Sequence, residues 1–259
     1  MKHKQYSTVL ILFLFLIITI FWPDNGQEID LMNRLHPPSL TYWFGTDWLG
    51  RDMFARTVKA LVYSLSLSGA AVILCAFIAL FFAVAGNVNK TLNSIVDFLV
   101  DCLLSLPSLL LLIILTVVFG GGTKGILFAV SLSHWSKLTR LCKGEIHEVM
   151  CLDYIQYALG FGHGKWYVIF RHALPHVLPQ WVLGMLLLFP HVLLHIAGLS
   201  FLGFGVSVAH PSIGRLLNEA NTYLLTGQWW LALFPGVLLV AVTILISRAI
   251  KSFTPSKTS

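Results

Sequence analysis

Residues 143–179 read KGEIHEVMCLDYIQYALGFGHGKWYVIFRHALPHVLP, a polar stretch between two apolar runs that are each long enough to cross a bilayer. Such a stretch stands in water at one membrane face, where only soluble partners reach it, so its position makes it a docking device. Ile146, Val149, Met150, Ile155 and Leu159 recur at roughly helical spacing. Gly160, Gly162 and Gly164 supply backbone freedom for a sharp turn, and Val168-Ile169-Phe170 resumes an apolar face. Pro175 and Pro179 are expected to stop that second segment. The stretch therefore reads as two short helices broken by glycine.

Composition makes the rest of the chain a membrane protein. Its 259 residues are 57% hydrophobic and 11% charged, with a mean hydropathy of +0.81, whereas soluble domains carry about 25% charge. The net charge of +6 does not point to nucleic acid, because the basic residues are scattered at the ends of apolar runs, as orientation signals are. Cys75, Cys102, Cys142 and Cys151 form no close pair. They read as small apolar packing residues, not as a disulfide framework or a CxxC site.

The expected fold is all-α and polytopic, with six transmembrane helices. Lys2 and Lys4 precede an apolar run from Val9 to Trp22 that Pro23-Asp24 closes. No small-residue cleavage site follows, so this run is expected to remain as a first span. Residues 23–60 form an outer polar segment, in which Asp47 and Asp52 cap a turn leading into an amphipathic helix with aromatics suited to the interface. Further spans are expected over Leu61–Gly86, Leu92–Phe119, Ile126–Cys142, Leu178–Val206 and Trp229–Ser247. The chain thus divides into a first span with its outer segment (1–60), a transmembrane domain (61–250) that contains the 143–179 loop, and a tail (251–259). With both termini in the cytoplasm, eleven of the 17 Lys and Arg lie inside, and the outer segments hold Arg34, Arg51, Arg56, Lys59, Lys124 and Arg215. That imbalance follows the positive-inside rule.

Polar residues inside the spans are the candidates for function. Asp97 and Asp101 stand one helical turn apart on one face of the third span, and Asp101 lies roughly 14 Å along that helix from Leu92. A carboxylate at that depth costs at least about 2.5 kcal/mol unless paired, protonated or facing water. Asp101 is therefore expected to face the bundle interior, either lining the path or bonding a neighbouring helix. His191 and His195, four residues apart, can share one face, and imidazole suits nickel, zinc or copper. A pair alone completes no metal site, so hydrogen-bonded positions in a bundle are the alternative. His163, His172 and His176 lie in the loop and read as interface polar groups. The string Gly160-Phe161-Gly162-His163-Gly164-Lys165 is no P-loop: Leu159 and Trp166 stand where a Gly and a Ser or Thr are needed. This chain is thus expected to bind no ATP and no cofactor, and to be no enzyme.

Several strings resemble one family. Gln156-Tyr157-Ala158, Gly162, His172 and Leu174-Pro175 are similar to the cytoplasmic coupling loop of ABC importer permeases. The family pattern there is Glu-Ala-Ala, Gly, Ile and Leu-Pro at the same spacing; Gln156, Tyr157 and His172 depart from it. Phe44-Gly45-Thr46-Asp47 with Gly50-Arg51-Asp52 resembles the Phe-Gly-Thr-Asp-x-x-Gly-Arg-Asp signature of the peptide and nickel branch. The likeness continues through Asp101 with Pro107, Leu199 to Gly205, Pro211-Ser212-Ile213-Gly214, Glu219-Ala220 and Phe234-Pro235-Gly236. Family members usually have Trp where Ile213 stands. Pro190 to Gly203, through His195 before Ser200-Phe201-Leu202-Gly203, is most similar to nickel-type permeases.

The resemblance implies a type I ABC importer permease fold in a multi-pass protein of the bacterial cell membrane. It also implies partners: a second, similar permease, two cytoplasmic ATPase subunits that use ATP, and an extracytoplasmic solute-binding protein. Gln156, Tyr157, Ala158, Gly162, His172, Leu174 and Pro175 would couple to the ATPases, while Asp101, His191 and His195 would belong to the translocation path. A nickel ion, a metal chelate or a peptide is the cargo so implied. The rival reading is a self-sufficient secondary transporter or channel that uses Asp97 and Asp101. It calls for inverted repeats and broken helices at mid-membrane, and the sequence shows no such internal symmetry.

Overall fold

The computed structural model describes residues 27–205 and 211–253. The expected first span, Val9 to Trp22, lies outside the described residues, as does the tail from position 254. Among the described residues eight helices follow a short 3-10 turn at Leu31–Asn33. They are α1 (Met53–Val88), α2 (Lys90–Ser105), α3 (Ser108–Val118), α4 (Gly122–Met150), α5 (Asp153–Gly160), α6 (Lys165–Phe201), α7 (Ile213–Leu224) and α8 (Trp230–Phe253).

Local chemistry explains most boundaries. The Asp52 carboxylate accepts from Phe54 N at 3.0 Å and starts α1. Asn89, in extended conformation, ends α1 and accepts from Leu92 N at 2.8 Å to start α2, so a single residue turns the chain. Gly120, Gly121 and Gly122 all hold positive φ between α3 and α4, a backbone path that side chains with a Cβ disfavour.

α1 and α4 form the spine of the bundle. Ala71, Cys75, Ala76, Ala79 and Ala83 are fully buried along α1, and such small side chains let two backbones approach closely. Ser131 Oγ donates to Ala71 O and Thr139 Oγ1 to Ala79 O, each at 3.2 Å, while Trp181 Nε1 of α6 donates to Ala76 O at 2.9 Å. These bonds satisfy polar groups that hydrocarbon would leave bare.

Among the described residues three helices are long and apolar enough to cross a membrane: α1, α6 and α8. The expected third span is not one rod: α2 and α3 qualify only together and are bent by 104°. Pro107 is the cause, because its ring excludes a helical bond and its predecessor Leu106 is forced to extended dihedrals. α4 has 29 residues but carries Lys124, Lys137, Arg140 and Lys143 and falls outside the apolar group. Pro175 and Pro179 do not stop the second segment of the loop either. A π-turn at Ile169–Ala173 widens the helix just before Pro175, with Leu174 N bonded to Ile169 O, which removes the clash that Pro175 would otherwise make. α6 then continues through Pro179 and Pro190.

Candidate functional site

The 143–179 loop folds as a helix, a glycine turn and the start of the long helix α6. After α4 ends, Leu152 is extended and α5 begins at Asp153. Gly162 holds φ +89°. Gly162 N donates to Leu159 O at 3.0 Å and His163 N to Ala158 O at 3.3 Å, the paired bonds of a Schellman stop. A Cβ at Gly162 would meet nothing within 4 Å, so the backbone angle alone demands glycine there. Gly160 and Gly164 show no positive φ.

Two faces result. Ile155, Val168, Ile169, Ala173 and Val177 are fully buried, and Ala158, Leu159 and Leu174 pack beside them against the core that α1 and α4 share. The opposite face is exposed and aromatic: Tyr157 is 68% accessible and Phe161 86%, with Tyr154, Trp166, Tyr167 and Phe170 also exposed. His163 stacks on Tyr167 at 4.7 Å and Trp166 on Phe170 at 5.8 Å, and His172 lies between Tyr154 and Tyr167, 6.2 Å from each. Of the sequence candidates, Gln156 and Tyr157 point outward, Ala158 and Leu174 lean on the core, and Pro175 is exposed. Gln156 Nε2 donates to Met150 O at 2.6 Å and ties α5 back to α4. The arrangement is an anchored platform with an exposed apolar outer surface.

The polar candidates in the spans find unexpected neighbours. Asp101 pairs with Arg140 and Asp97 with Lys143, both on α4, so these acids bond a neighbouring helix. Their side chains are 68% and 52% accessible, not turned into the bundle interior. His191 is exposed, while His195 turns inward and meets His134 of α4 edge-on at 5.0 Å. Sequence reasoning passed over His134, whose partner is on another helix. His195 Nδ1 is buried without a hydrogen-bond partner. Among the described residues no group of three or more His, Cys, Asp or Glu is placed to hold a metal ion.

A second polar centre joins the Phe44–Asp52 segment to α7. Asp47 is fully buried, its carboxylate caps Leu49 N and Arg51 N at 2.8 and 2.9 Å, and it accepts from Arg51 Nε at 2.7 Å and from Arg56. Arg56 also donates to Glu219 at 3.0 Å, and Arg215 closes the chain on Glu219 at 2.8 Å. Both guanidiniums of Arg51 and Arg56 lie over Trp48, which stacks on Tyr223 at 5.5 Å.

The described residues form an all-helical bundle with apolar spans and a loop that carries an exposed aromatic face. Residues 77–258 match the family described as binding-protein-dependent transport system inner membrane component. The chain belongs to that family, the permeases of ABC importers, and is a multi-pass inner-membrane component. It is 32% identical to a putative peptide permease of Brucella suis over 92% of this chain and 79% of that one. The dipeptide transport system permease DppC of Bacillus subtilis is 30% identical over 91% of this chain and 75% of its own. The probable D,D-dipeptide transport system permease DdpC of Escherichia coli is 32% identical over 91% and 81%. The crystal structure of an amino acid ABC transporter with histidines shares the fold, with a TM-score of 0.61 over 77% of this chain and 93% of that one at 13% identity.

Proposed function

We propose that this chain forms, with a second similar permease, the pathway of an ATP-driven importer for short peptides. The observation that carries the reading is the exposed aromatic platform of α5 and the glycine turn, anchored through Ile155 and Ile169 to the helices that span the membrane. In this reading the loop stands in the cytoplasm, as do both termini, and six spans cross the bilayer. Two ATPase subunits grip the platform through Tyr157, Phe161 and their neighbours. ATP binding closes those subunits, the platform moves with them, and α4 and α6 carry the tilt to a cavity between the two permeases. Energy comes from the different affinity of the ATPases for the platform in their two states. A solute-binding protein delivers cargo on the outer side.

Peptide is preferred to nickel as cargo because the similar permeases carry peptide and dipeptide names, and because His195, beside His134, joins no group of three or more metal-ligating side chains among the described residues. Asp97 and Asp101, each paired with a base on α4, do not favour an ion-coupled secondary transporter. Uptake of labelled dialanine and of labelled nickel by cells with and without this chain tests the proposal. Loss of dipeptide uptake alone supports it, and loss of nickel uptake alone overturns the cargo.

A further inference from the structure

Lys137, Arg140 and Lys143 climb one side of α4 at intervals of three residues, opposite α2. Lys143 pairs with Asp97 and Arg140 with Asp101. Lys137, the next rung, has no acidic partner among the described residues. Where a third acid would stand, α2 ends and the chain turns by 104° through Leu106 and Pro107. That bend opens a cavity of about 240 Å³, lined on its polar side by Lys137, His134, Ser133 and Ser108 and elsewhere by leucines of both half-helices.

Lys137 lies roughly 22 Å along α4 from Gly122, near the middle of that 29-residue helix. Lys137 is exposed and has no acidic partner among the described residues, so its charge is open to an arriving anion. Ser108 is exposed at the cavity, and Ser133 Oγ, which lies 2.7 Å from His134 Nδ1 and donates to Val130 O at 3.2 Å, can turn its hydrogen from that carbonyl to a ligand. The volume is small beside ordinary ligand pockets of about 300 Å³ or more, enough for one end of a peptide.

We infer that this cavity receives the C-terminal carboxylate of the peptide cargo, with Lys137 as its charge partner and Ser133 and Ser108 as hydrogen-bond donors. The inference rests on the peptide reading above and adds a residue-level contact to it.

Uptake of labelled dialanine and of its C-terminal amide is measured in cells whose importer carries the wild-type chain, K137Q, K137R or S133A, with membrane levels matched. K137Q is expected to lower uptake of the free acid about tenfold or more, the effect of losing one charged hydrogen bond. K137R should keep at least about half, S133A should fall between them, and any uptake of the amide should drop less than that of the acid. Equal loss with K137Q and K137R, equal loss of acid and amide, or K137Q uptake close to wild type overturns the contact while leaving peptide transport intact. If wild-type cells accumulate neither peptide, the peptide reading itself falls, and this inference falls with it.

Discussion

Arg56, in the first turn of α1, donates to Glu219 of α7 at 3.0 Å across 163 residues of sequence, while its other amino group holds the buried Asp47. One guanidinium thus ties the Phe44–Asp52 segment, the start of a membrane helix and the amphipathic helix α7. Its side chain is only 7% accessible, that of Asp47 0% and that of Glu219 16%. Removing one member of a buried set costs about 3 kcal/mol or more, because it strands the partners. Arg56→Met is expected to lower the thermal midpoint of the purified complex clearly, and Arg56→Lys less so, by tryptophan fluorescence. A midpoint unchanged in Arg56→Met would mean that the ties carry no stability.

Gly214 sits where α7 meets α6. A Cβ there would come within 2.7 Å of the Ser200 Cβ and press on the Ala197 carbonyl, which is backbone and cannot step aside. Gly214→Ala should therefore destabilise the protein by about 1–3 kcal/mol. Gly144, whose Cβ would meet nothing within 4 Å, should accept alanine without loss. Protease resistance of both variants in detergent checks the contrast.

At Gly162 the penalty comes from the backbone, since φ +89° suits glycine alone. Gly162→Val is expected to shift the turn, leave the chain in the membrane at normal level and lower uptake at least about tenfold, given strain of roughly 1–2 kcal/mol or more. Gly160→Ala, in a helix with open space around it, should transport normally. Parallel uptake and membrane blots separate coupling from folding.

The acids on α2 give the sharpest contrast with ion-coupled transport. Their side chains are 52% and 68% accessible, and ion pairs that open to solvent contribute about 1 kcal/mol or less. Asp97→Asn combined with Asp101→Asn should keep uptake within about threefold of wild type, and uptake should survive a protonophore while ATP is maintained. Abolished uptake in the double variant, or dependence on the proton gradient, would favour the secondary transporter.

What the sequence made legible follows from locality. The turn at Gly162, the cap at Asp52 and the apolar lengths of α1 and α8 rest on neighbouring residues, and all were readable. The 104° break was not, because leucine-rich sequence continues on both sides of Pro107 and composition alone does not distinguish a kink from a rod. Pro175 misled for the converse reason: the π-turn that accommodates it is invisible in composition. Asp97 and Asp101 found their bases some forty positions away, although Lys137, Arg140 and Lys143 at steps of three against acids at a step of four were a signal of two facing helices. His134 had no local signal at all, and the burial of Asp47 depended on Arg56 and Glu219 closing over it.

The central claim, that the α5 platform receives force from an ATPase, is tested most directly by a photo-crosslinking residue at Tyr157 in the intact importer. Irradiation of membranes should join this chain to an ATPase subunit, with a yield that changes on adding ATP and vanadate. A crosslink to the extracytoplasmic binding protein, or labelling of position 157 by an impermeant reagent from outside intact cells, would contradict it.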